Sequence, residues 1–304
     1  MKGEMAQPSD KALAALVKKI GARRIDVSQK GRFAASYDSA RFSVMPQAVI
    51  RPKTNGDIRQ TLLLANRHKV PVTVRGGGSA MTGASVPLKG GWVLDLSHWK
   101  KARISAKESL AYVQPGVTVE QLDNAAAKQG LFYPPDPSSK KYATIGGSIS
   151  TNAGGLRGAK YGVTRDYVVA LEGFLPTGEF VRWGLPLRKF SSGYNMRDLW
   201  VGAEGTLGVI TQAVMKLLSR PAMRKTFLCA FKNNAAALKA VGPLRESGAD
   251  FSILEYIDEL SVKCAADFMG RPAFQKYPRS ALLLVEVDGS PAQVAAAAKR
   301  VQAW

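Results

Sequence analysis

Residues 70–83 read VPVTVRGGGSAMTG, an apolar run that leads directly into three consecutive glycines and a fourth at Gly83. Glycine adopts positive φ readily and has no side chain, so successive amides of such a loop can converge on an anion. Ser79 and Thr82 add hydroxyl donors, and Arg75 adds a positive charge where the loop begins. The stretch predicts a strand followed by a diphosphate-binding loop, although a glycine-rich hairpin without a ligand fits the same pattern.

The loop differs from two common phosphate-binding motifs. The dinucleotide fingerprint G-x-G-x-x-G opens a helix and is followed by an acidic residue about twenty positions later. Here Pro87 and Gly90-Gly91 interrupt any long helix after the loop. A P-loop requires G-K-[ST], which the sequence does not contain. The loop therefore belongs to neither motif.

Two further glycine-rich segments follow. In the first, residues 133–155, two Gly-Gly pairs flank small polar residues and allow close backbone approach to a flat ligand. We expect residues 133–152 to be mainly loop, and loops of that length are commonly functional. The second, Gly202–Thr211, is a glycine-spaced approach to a strand. Alone, each segment fits an ordinary loop or turn, but three in this order are more specific than any one.

Hydrophobic periodicity predicts strands and helices around these segments. A β-α-β unit is expected over residues 49–74, and its helix begins at Thr54 with Asp57 three residues on, which is a capping-box pattern. A second helix is expected over Thr118–Gln129, with Gln121 completing its capping box. The other elements expected here are a helix at Asp10–Ile20 and strands at Trp92–Leu96, Leu110–Gln114, Val168–Phe174, Glu179–Trp183 and Val209–Leu217.

Beyond Pro221 the pattern changes to alternating strands and helices. A last helix begins at Ser290-Pro291 and still continues at Trp304, so we expect this second domain to be cut in mid-element. The elements expected before it are strands at Thr226–Phe231, Ile253–Ile257 and Leu282–Val287 and helices at Asn234–Ser247 and Glu259–Met269.

The composition narrows the function classes. A formal net charge of +20 attracts nucleic acid, anionic membranes, dinucleotides and carboxylates alike. The basic residues are spread along the chain in short pairs such as Lys18-Lys19, without a basic run or a nucleic-acid-binding signature. Scattered solvated side chains are therefore favoured over a nucleic-acid-binding protein, and we expect no nucleic-acid partner.

Other residue types argue against a membrane span and a metal site. No run approaches the ~20 apolar residues of a membrane-spanning helix, and the N-terminus lacks the apolar core of a secretory signal. Cys229 and Cys264 have no metal-ligand spacing. His68 and His98 are the two histidines, and we expect both to be exposed. A cytoplasmic protein with no metal is the expectation.

The order of the three segments resembles the vanillyl-alcohol oxidase superfamily, whose FAD-binding domain is called the PCMH type. The branch of D-lactate dehydrogenase, D-2-hydroxyglutarate dehydrogenase and the corresponding glycolate oxidase polypeptide is the most similar. The resemblance is carried by Arg75–Ser79 with Gly83, Pro135–Ser139, Thr144–Gly147, Thr151–Gly155, Lys160-Tyr161-Gly162 and Gly202–Thr211, and more weakly by Gly193-Tyr194-Asn195.

The resemblance implies an α+β fold in three regions. Residues 1–35 would form an N-terminal helical segment. Residues 36–221 would form the PCMH-type FAD-binding domain of two α/β subdomains. Residues 222–304 would begin a ferredoxin-like α+β substrate domain that is truncated.

It also implies non-covalent FAD. Ser79 stands where some relatives attach the flavin to a histidine, and Tyr142 stands where others use a cysteine. In the family, the loop matching Gly76–Gly83 wraps the pyrophosphate and the stretch matching Thr144–Gly155 lies along the flavin. The cofactor-binding residues expected are Arg75, Gly76, Gly77, Gly78, Ser79, Thr82, Gly83, Pro135, Asp136, Thr144, Gly146, Gly147, Ser150, Thr151, Asn152, Gly154, Gly155, Gly205, Val209 and Ile210.

The activity implied is oxidation of a small 2-hydroxy acid, such as glycolate or D-lactate, to the 2-oxo acid by hydride transfer to flavin. In these enzymes the catalytic and metal-binding residues lie in the C-terminal half, which we expect this 304-residue sequence not to include. No catalytic residue is therefore assigned. The electron acceptor stays open between oxygen, a quinone, a cytochrome and a partner flavoprotein or iron–sulfur subunit. The basic charge suits peripheral association with an anionic membrane face such as that of the inner membrane.

Two alternatives stay open. One is another enzyme of the same fold, such as a sugar-lactone oxidase, an ether-lipid synthase or a muramate-precursor reductase. The other is a non-catalytic flavin-binding subunit of a larger complex. The Pro-Asp-Pro-Ser-Ser and Thr-Asn-Ala-Gly-Gly segments favour the hydroxy-acid branch.

Overall fold

The computed structural model describes residues 10–40, 43–187, 191–269 and 280–302. Its contacts divide the chain into two compact units. Unit 1 comprises the described parts of Met1–Tyr133, Pro137–Ala153 and Val163–Leu218, and unit 2 those of Pro134–Asp136, Gly154–Gly162 and Ser219–Trp304. The three continuous regions expected from the sequence, with boundaries at residues 35 and 221, stay a prediction.

The described elements alternate along most of the chain. The helices are α1 (Asp10–Ile20), α2 (Gln29–Ala34), α3 (Asn55–His68), α4 (Val119–Ala127), α5 (Ile145–Thr151), α6 (Gly158–Tyr161), α7 (Met196–Trp200), α8 (Asn234–Glu246), α9 (Glu259–Met269) and α10 (Pro291–Gln302). The strands are β1 (Ile25–Asp26), β2 (Ala48–Ile50), β3 (Val72–Arg75), β4 (Trp92–Asp95), β5 (Ala102–Ser105), β6 (Leu110–Val113), β7 (Leu131–Phe132), β8 (Val168–Phe174), β9 (Phe180–Gly184), β10 (Val209–Lys216), β11 (Leu218–Ser219), β12 (Met223–Phe231), β13 (Phe251–Ile257) and β14 (Ala281–Gly289).

The first sheet of unit 1 has the strand order β1-β2-β4-β3, with β2, β4 and β3 parallel. The expected β-α-β unit is confirmed, and α3 begins at its capping box. The Thr54 hydroxyl accepts from the Asp57 amide at 3.2 Å, and the Asp57 carboxylate accepts from the Thr54 amide at 3.1 Å. Ile58 and Leu62 of α3 join a buried core with Trp92 of β4, which fixes the helix on the sheet.

The second sheet of unit 1 is antiparallel throughout, in the order β5-β6-β10-β8-β9. The expected hairpin between β8 and β9 is confirmed, with Gly178 at φ 87° in its turn. The capping box of α4 is also confirmed, because the Thr118 hydroxyl accepts from the Gln121 amide at 3.1 Å and Gln121 accepts in return at 3.0 Å. β5 was not expected.

The expectation of loop over residues 133–152 is wrong in part, because α5 lies inside that stretch. Thr144 caps the helix by accepting from the Gly147 amide at 3.3 Å. Ile145 and Ile149 are fully buried. A hydrophobic face and a local cap therefore outweigh the low helix propensity of the two glycines and the serines.

Unit 2 contains a three-stranded antiparallel sheet in the order β12-β14-β13. β12 and β13 lie on opposite sides of β14 and run in the same direction, as in a split β-α-β arrangement. Each strand and helix expected after Pro221 is present within a few residues of its expected bounds. The core contains Leu244 of α8, Val285 of β14 and Val294 of α10. Trp304, where the last helix was expected to continue, lies outside the described residues.

Candidate cofactor-binding site

The first glycine-rich segment packs against the second within unit 1. A Cβ atom on Gly76 would overlap the hydroxyl oxygen of Thr144, and one on Gly77 would overlap the carbonyl oxygen of Tyr142. A side chain at either glycine would therefore push the two segments apart. The absence of a Cβ at these two positions is what allows the backbones to meet.

The third segment also reaches the second. The Glu204 amide donates to the Ser150 carbonyl at 2.7 Å, and the Gly202 amide donates to the Ile149 carbonyl at 3.0 Å. Gly205 lies close to β3, since a Cβ there would stand 3.8 Å from the Cβ of Val74. All three segments, far apart in sequence, thus converge at one place in unit 1.

Backbone conformation in these segments depends on glycine. Gly78, Gly83 and Gly205 have φ values of 64°, 79° and 78°, a region that residues with a Cβ rarely adopt. Two residues with side chains also adopt positive φ, namely Asn152 at 48° and Glu204 at 52°. No helix lies between the first loop and β4, a stretch that the structure describes in full, as expected from Pro87 and Gly90-Gly91.

Arg75, at the end of β3, is turned towards the protein. Its guanidinium donates to the Ala34 carbonyl at 3.2 Å and to Ser85 at 3.4 Å. Burial lowers the pKa of Arg75, and Asp95 and Asp38 oppose that shift. The side chain therefore links the loop to Ala34 and Ser85 through hydrogen bonds. Its expected role as a positive charge near the phosphates stays a prediction.

Several expected side chains of the second segment are already engaged. Thr144 caps α5, the Thr151 hydroxyl donates to the Gly147 carbonyl at 3.1 Å, and the Asn152 side chain accepts from the Arg165 amide at 2.9 Å. Ser79, Gly146, Gly147 and Ser150 are half-buried, Gly77 and Thr82 are exposed, and Val209 and Ile210 are buried. The Gly146 and Gly147 amides are engaged as well, by the Pro115 carbonyl and the Thr144 hydroxyl, so the half-buried glycines are candidates for close approach of a ligand rather than for hydrogen bonds to it.

Ser148 is a candidate that the sequence reasoning missed. Its residue is 3% exposed, and its hydroxyl is one of the buried side-chain groups in the described ranges that have no hydrogen-bond partner. An unsatisfied buried hydroxyl costs about 1–3 kcal/mol. The signal that could have identified Ser148 is its position directly after Gly146-Gly147, on the buried face of a short helix.

A cavity of about 210 Å³ lies beside the third segment in unit 1. Its wall contains side chains of α3 and β3 and the turn residues before β9 and β10; the residues are Leu62, Ala65, Asn66, Val70, Val72, Val74, Pro176, Gly205, Thr206, Gly208 and Val209. Pockets for drug-sized ligands measure roughly 300–1,000 Å³. The cavity therefore accommodates one ring system rather than an entire dinucleotide.

Four of the expected cofactor-binding residues, Pro135, Asp136, Gly154 and Gly155, belong to unit 2. Pro135 is buried, and the Asp136 carboxylate forms an ion pair with Arg157 at 3.6 Å. Their contribution to the same site stays a prediction.

The two histidines were expected to be exposed. His98 is exposed, as expected, and its Nε2 lies 2.7 Å from the Pro52 carbonyl. His68 is half-buried at the end of α3, so the expectation of exposure is wrong for this residue. Within the described ranges no group of three or more His, Cys, Asp or Glu side chains could hold a metal ion, and no helix is long and apolar enough to cross a membrane.

Comparison with known proteins identifies two domains in this chain. The model of the FAD binding domain matches residues 46–184, and that of the C-terminal domain of FAD linked oxidases matches residues 220–303. Glycolate oxidase subunit GlcD of Bacillus subtilis is 41% identical over 278 residues, which are 90% of this chain and 58% of the relative. D-lactate dehydrogenase of Anaerostipes hadrus is 35% identical over 84% of this chain and 54% of the relative.

Two solved structures share the fold. p-Cresol methylhydroxylase superposes with a TM-score of 0.84 at 19% identity, covering 99% of this chain and 65% of that one. Alkyldihydroxyacetonephosphate synthase superposes with a TM-score of 0.80 at 20% identity, covering 99% and 59%.

Together, the fold and the glycine-lined site define a flavoprotein with a PCMH-type FAD-binding domain. The chain belongs to the FAD-linked oxidases, and its cofactor is FAD. It spans between half and three fifths of the length of the two curated relatives described above.

Proposed function

We propose that this chain is the FAD-binding part of an oxidoreductase that oxidises a 2-hydroxy acid, such as glycolate or D-lactate, to the 2-oxo acid. The convergence of the three glycine-rich segments carries the proposal. Two of them meet only because Gly76 and Gly77 lack a Cβ, and the third is hydrogen-bonded to the second through the Glu204 and Gly202 amides. Such an arrangement suits a ligand that contacts backbone along its length.

The first loop would hold the pyrophosphate. Gly77 is exposed and Gly78 and Gly83 adopt positive φ, so amides of this loop can point towards a common anion. Ser79 and Thr82 would add hydroxyl donors. Neither Ser79 nor Tyr142 is a histidine or cysteine, which supports non-covalent attachment.

The second segment would lie along the flavin, and the cavity would receive the adenine ring. Gly147, whose Cβ position meets only the Thr144 hydroxyl oxygen, leaves room beside α5, and the neighbouring buried Ser148 hydroxyl has no hydrogen-bond partner among the described residues. The cavity is ring-sized, and apolar side chains such as Val72, Val74 and Val209 form part of its wall. Stacking of an aromatic ring against such a wall buries apolar area on both sides.

Bound FAD would supply the acceptor for the hydride that leaves the substrate α-carbon. The described residues of this chain would bind the cofactor, orient it and exclude water from it. The base that takes the hydroxyl proton and the group that clamps the substrate carboxylate are not assigned to this chain, because its relatives continue well beyond the matched length.

The names of the relatives support a 2-hydroxy-acid substrate. Glycolate oxidase subunit GlcD, D-lactate dehydrogenase and a D-2-hydroxyglutarate dehydrogenase that is 32% identical all act, by name, on acids of this class. GlcD is named as a subunit, which favours a complex with partner flavoprotein or iron–sulfur subunits. A cytoplasmic location, free or peripheral to the inner membrane, fits this proposal.

A second candidate is another enzyme of the same fold. The structural match to alkyldihydroxyacetonephosphate synthase favours it, but the higher sequence identities are to the hydroxy-acid enzymes. A non-catalytic flavin-binding subunit is a further alternative, and both share the FAD site.

The test is an absorption spectrum of the purified chain before and after acid precipitation. We expect a flavin spectrum that is released into the supernatant and migrates as FAD on chromatography. A folded chain, by circular dichroism, that stays colourless and takes up no added FAD would refute the proposal. Reduction of the bound flavin by D-lactate or glycolate, but not by simple alcohols, would test the substrate class.

A further inference from the structure

The carboxylate of Asp288, near the end of β14, is the most deeply buried acidic group among the described residues of unit 2. Its side chain is fully buried. The Tyr161 hydroxyl lies 3.0 and 2.9 Å from its two oxygens, and the Lys160 Nζ lies 2.9 Å from one of them. Arg224, directly opposite on β12, adds a cation with its Nε at 3.8 Å.

This network satisfies a carboxylate that would otherwise be costly to bury. The pKa of Tyr161 is raised, first by burial and then by Asp288, so the phenol keeps its proton and donates. For Lys160, burial acts to lower the pKa, but hydrogen bonds to Asp250 and Asp288 outweigh it and the pKa is raised. Lys160 therefore stays a cation.

The network holds a segment that comes from a distant part of the sequence. Lys160 and Tyr161 belong to α6, which packs on β13 within unit 2. The same segment begins at Gly154-Gly155, the second Gly-Gly pair of the proposed flavin-binding stretch. Its contacts assign the segment to unit 2, although the residues before and after it belong to unit 1. Asp288 therefore fixes the chain a few residues after that glycine pair.

Stability alone does not require an ionic group at position 288. Replacing a buried ion pair by apolar residues of similar volume is often neutral or stabilising. An aspartate with partners on a neighbouring strand and on a short helix is better suited to selecting one placement of the attached segment.

We propose that Asp288 is a positioning residue for FAD: by binding Lys160 and Tyr161 it holds Gly154-Gly155 in the placement that accepts the flavin. The proposal rests on the proposed function, because it assumes that this glycine pair contacts the cofactor. It adds a residue of the C-terminal sheet to the determinants of FAD affinity.

The test compares three variants of the full 304-residue chain. Asp288→Asn removes the buried charge, and Tyr161→Phe removes the hydrogen bond that the phenol shares between the two carboxylate oxygens while it keeps the ring. Asp250→Asn is the matched control, since Asp250 also pairs with Lys160, at 2.8 Å, but its side chain is 71% exposed. Exposed pairs contribute little.

Three measurements are made on each variant: FAD affinity by titration of the apo chain, apo stability in urea, and visible circular dichroism of the bound flavin. If Asp288→Asn leaves the competent placement populated about one time in ten, FAD binds about tenfold more weakly. We expect a loss of roughly threefold for Tyr161→Phe and less than about twofold for Asp250→Asn, by the same relation between population and affinity. The flavin dichroism should change in the first two variants only.

A purely structural role predicts a different pattern. The urea midpoint would fall in Asp288→Asn and Tyr161→Phe while FAD affinity and flavin dichroism stayed as in the wild type, and this result overturns the proposal. Equal losses of affinity in Asp250→Asn also overturn it. If Asp288→Asn does not fold, Tyr161→Phe decides. A folded wild-type chain that binds no FAD refutes the proposed function itself, whereas a wild type that binds FAD with unchanged variants refutes only the role of Asp288.

Discussion

Two neighbouring glycines of α5 provide a sharp test of how closely the second segment is packed. A Cβ on Gly146 would stand 2.6 Å from the Cβ of Pro115, and 3.2 Å from its Cα and carbonyl oxygen. A Cβ on Gly147 would meet only the Thr144 hydroxyl oxygen, at 3.2 Å. The residues share one helical turn, so Gly146→Ala and Gly147→Ala differ mainly in what the new methyl group touches.

The magnitudes follow from two opposing terms. Alanine in place of a helical glycine stabilises by about 0.5–1 kcal/mol. Overpacking costs about 1–3 kcal/mol, and it applies to Gly146, where proline atoms cannot rotate away. Moving α5 would also strain the bond from the Gly146 amide to the Pro115 carbonyl, which is 2.9 Å long. We expect Gly146→Ala to lose about 1 kcal/mol net and Gly147→Ala to stay within about 0.5 kcal/mol of the wild type.

The assay is urea unfolding of the two apo variants followed by circular dichroism, with FAD affinity measured in parallel. A loss of stability for Gly147→Ala as large as that for Gly146→Ala would show that contact with Pro115 is not the cause. If the flavin lies along this segment, Gly147→Ala should weaken FAD binding although its stability is nearly unchanged. Unaltered affinity in Gly147→Ala would count against the flavin placement.

Three further changes test other parts of the chain. Thr118→Ala removes the N-cap of α4 and should lower the free energy of unfolding by about 1 kcal/mol in urea titrations. Leu283→Ala, in the fully buried centre of β14, should lower the free energy of unfolding by about 2–5 kcal/mol. Leu228→Ala on β12, where the side chain is 48% exposed, should lower it by less than about 1 kcal/mol. Equal losses in the two variants would contradict the described core. Hydrogen bonds, first from Ser28, lower the pKa of Asp26 from 3.8 to about 2. The stability that this carboxylate contributes is therefore present above pH 3.8 and is lost as the pH falls through about 2. Asp26→Asn should flatten that part of a curve of stability against pH, and an unchanged curve would refute this prediction.

Local sequence signals were sufficient where the structure is decided locally. The capping boxes at Thr54 and Thr118 predicted the starts of α3 and α4, because the cap and its partner lie three residues apart. α5 was missed because its composition is poor for a helix and its stability comes from burial of Ile145 and Ile149. Tertiary packing outweighed propensity there.

The site was predictable only in outline. Glycine spacing indicated three ligand-binding segments, and the family resemblance supplied their common purpose, but nothing local shows that the Glu204 amide meets the Ser150 carbonyl. The engagement of Arg75 with Ala34 depends on packing between distant residues. Asp288, beside Gly289, has the sequence pattern of a turn, and only the assembled sheet reveals that it is buried.

The nine-residue insertion Gly154–Gly162 has a practical implication for dissecting this protein. Its ion-pair partners, Asp250 and Asp288, are encoded about a hundred residues downstream. No single cut in the gene can therefore separate the two units cleanly. A truncated protein ending at Leu218 would retain Lys160 and Tyr161 but lose both carboxylates, and fusion of the C-terminal portion to a foreign flavin domain would omit α6. Recombination between relatives should preserve the full FAD affinity when positions 160, 161 and 288 are inherited together.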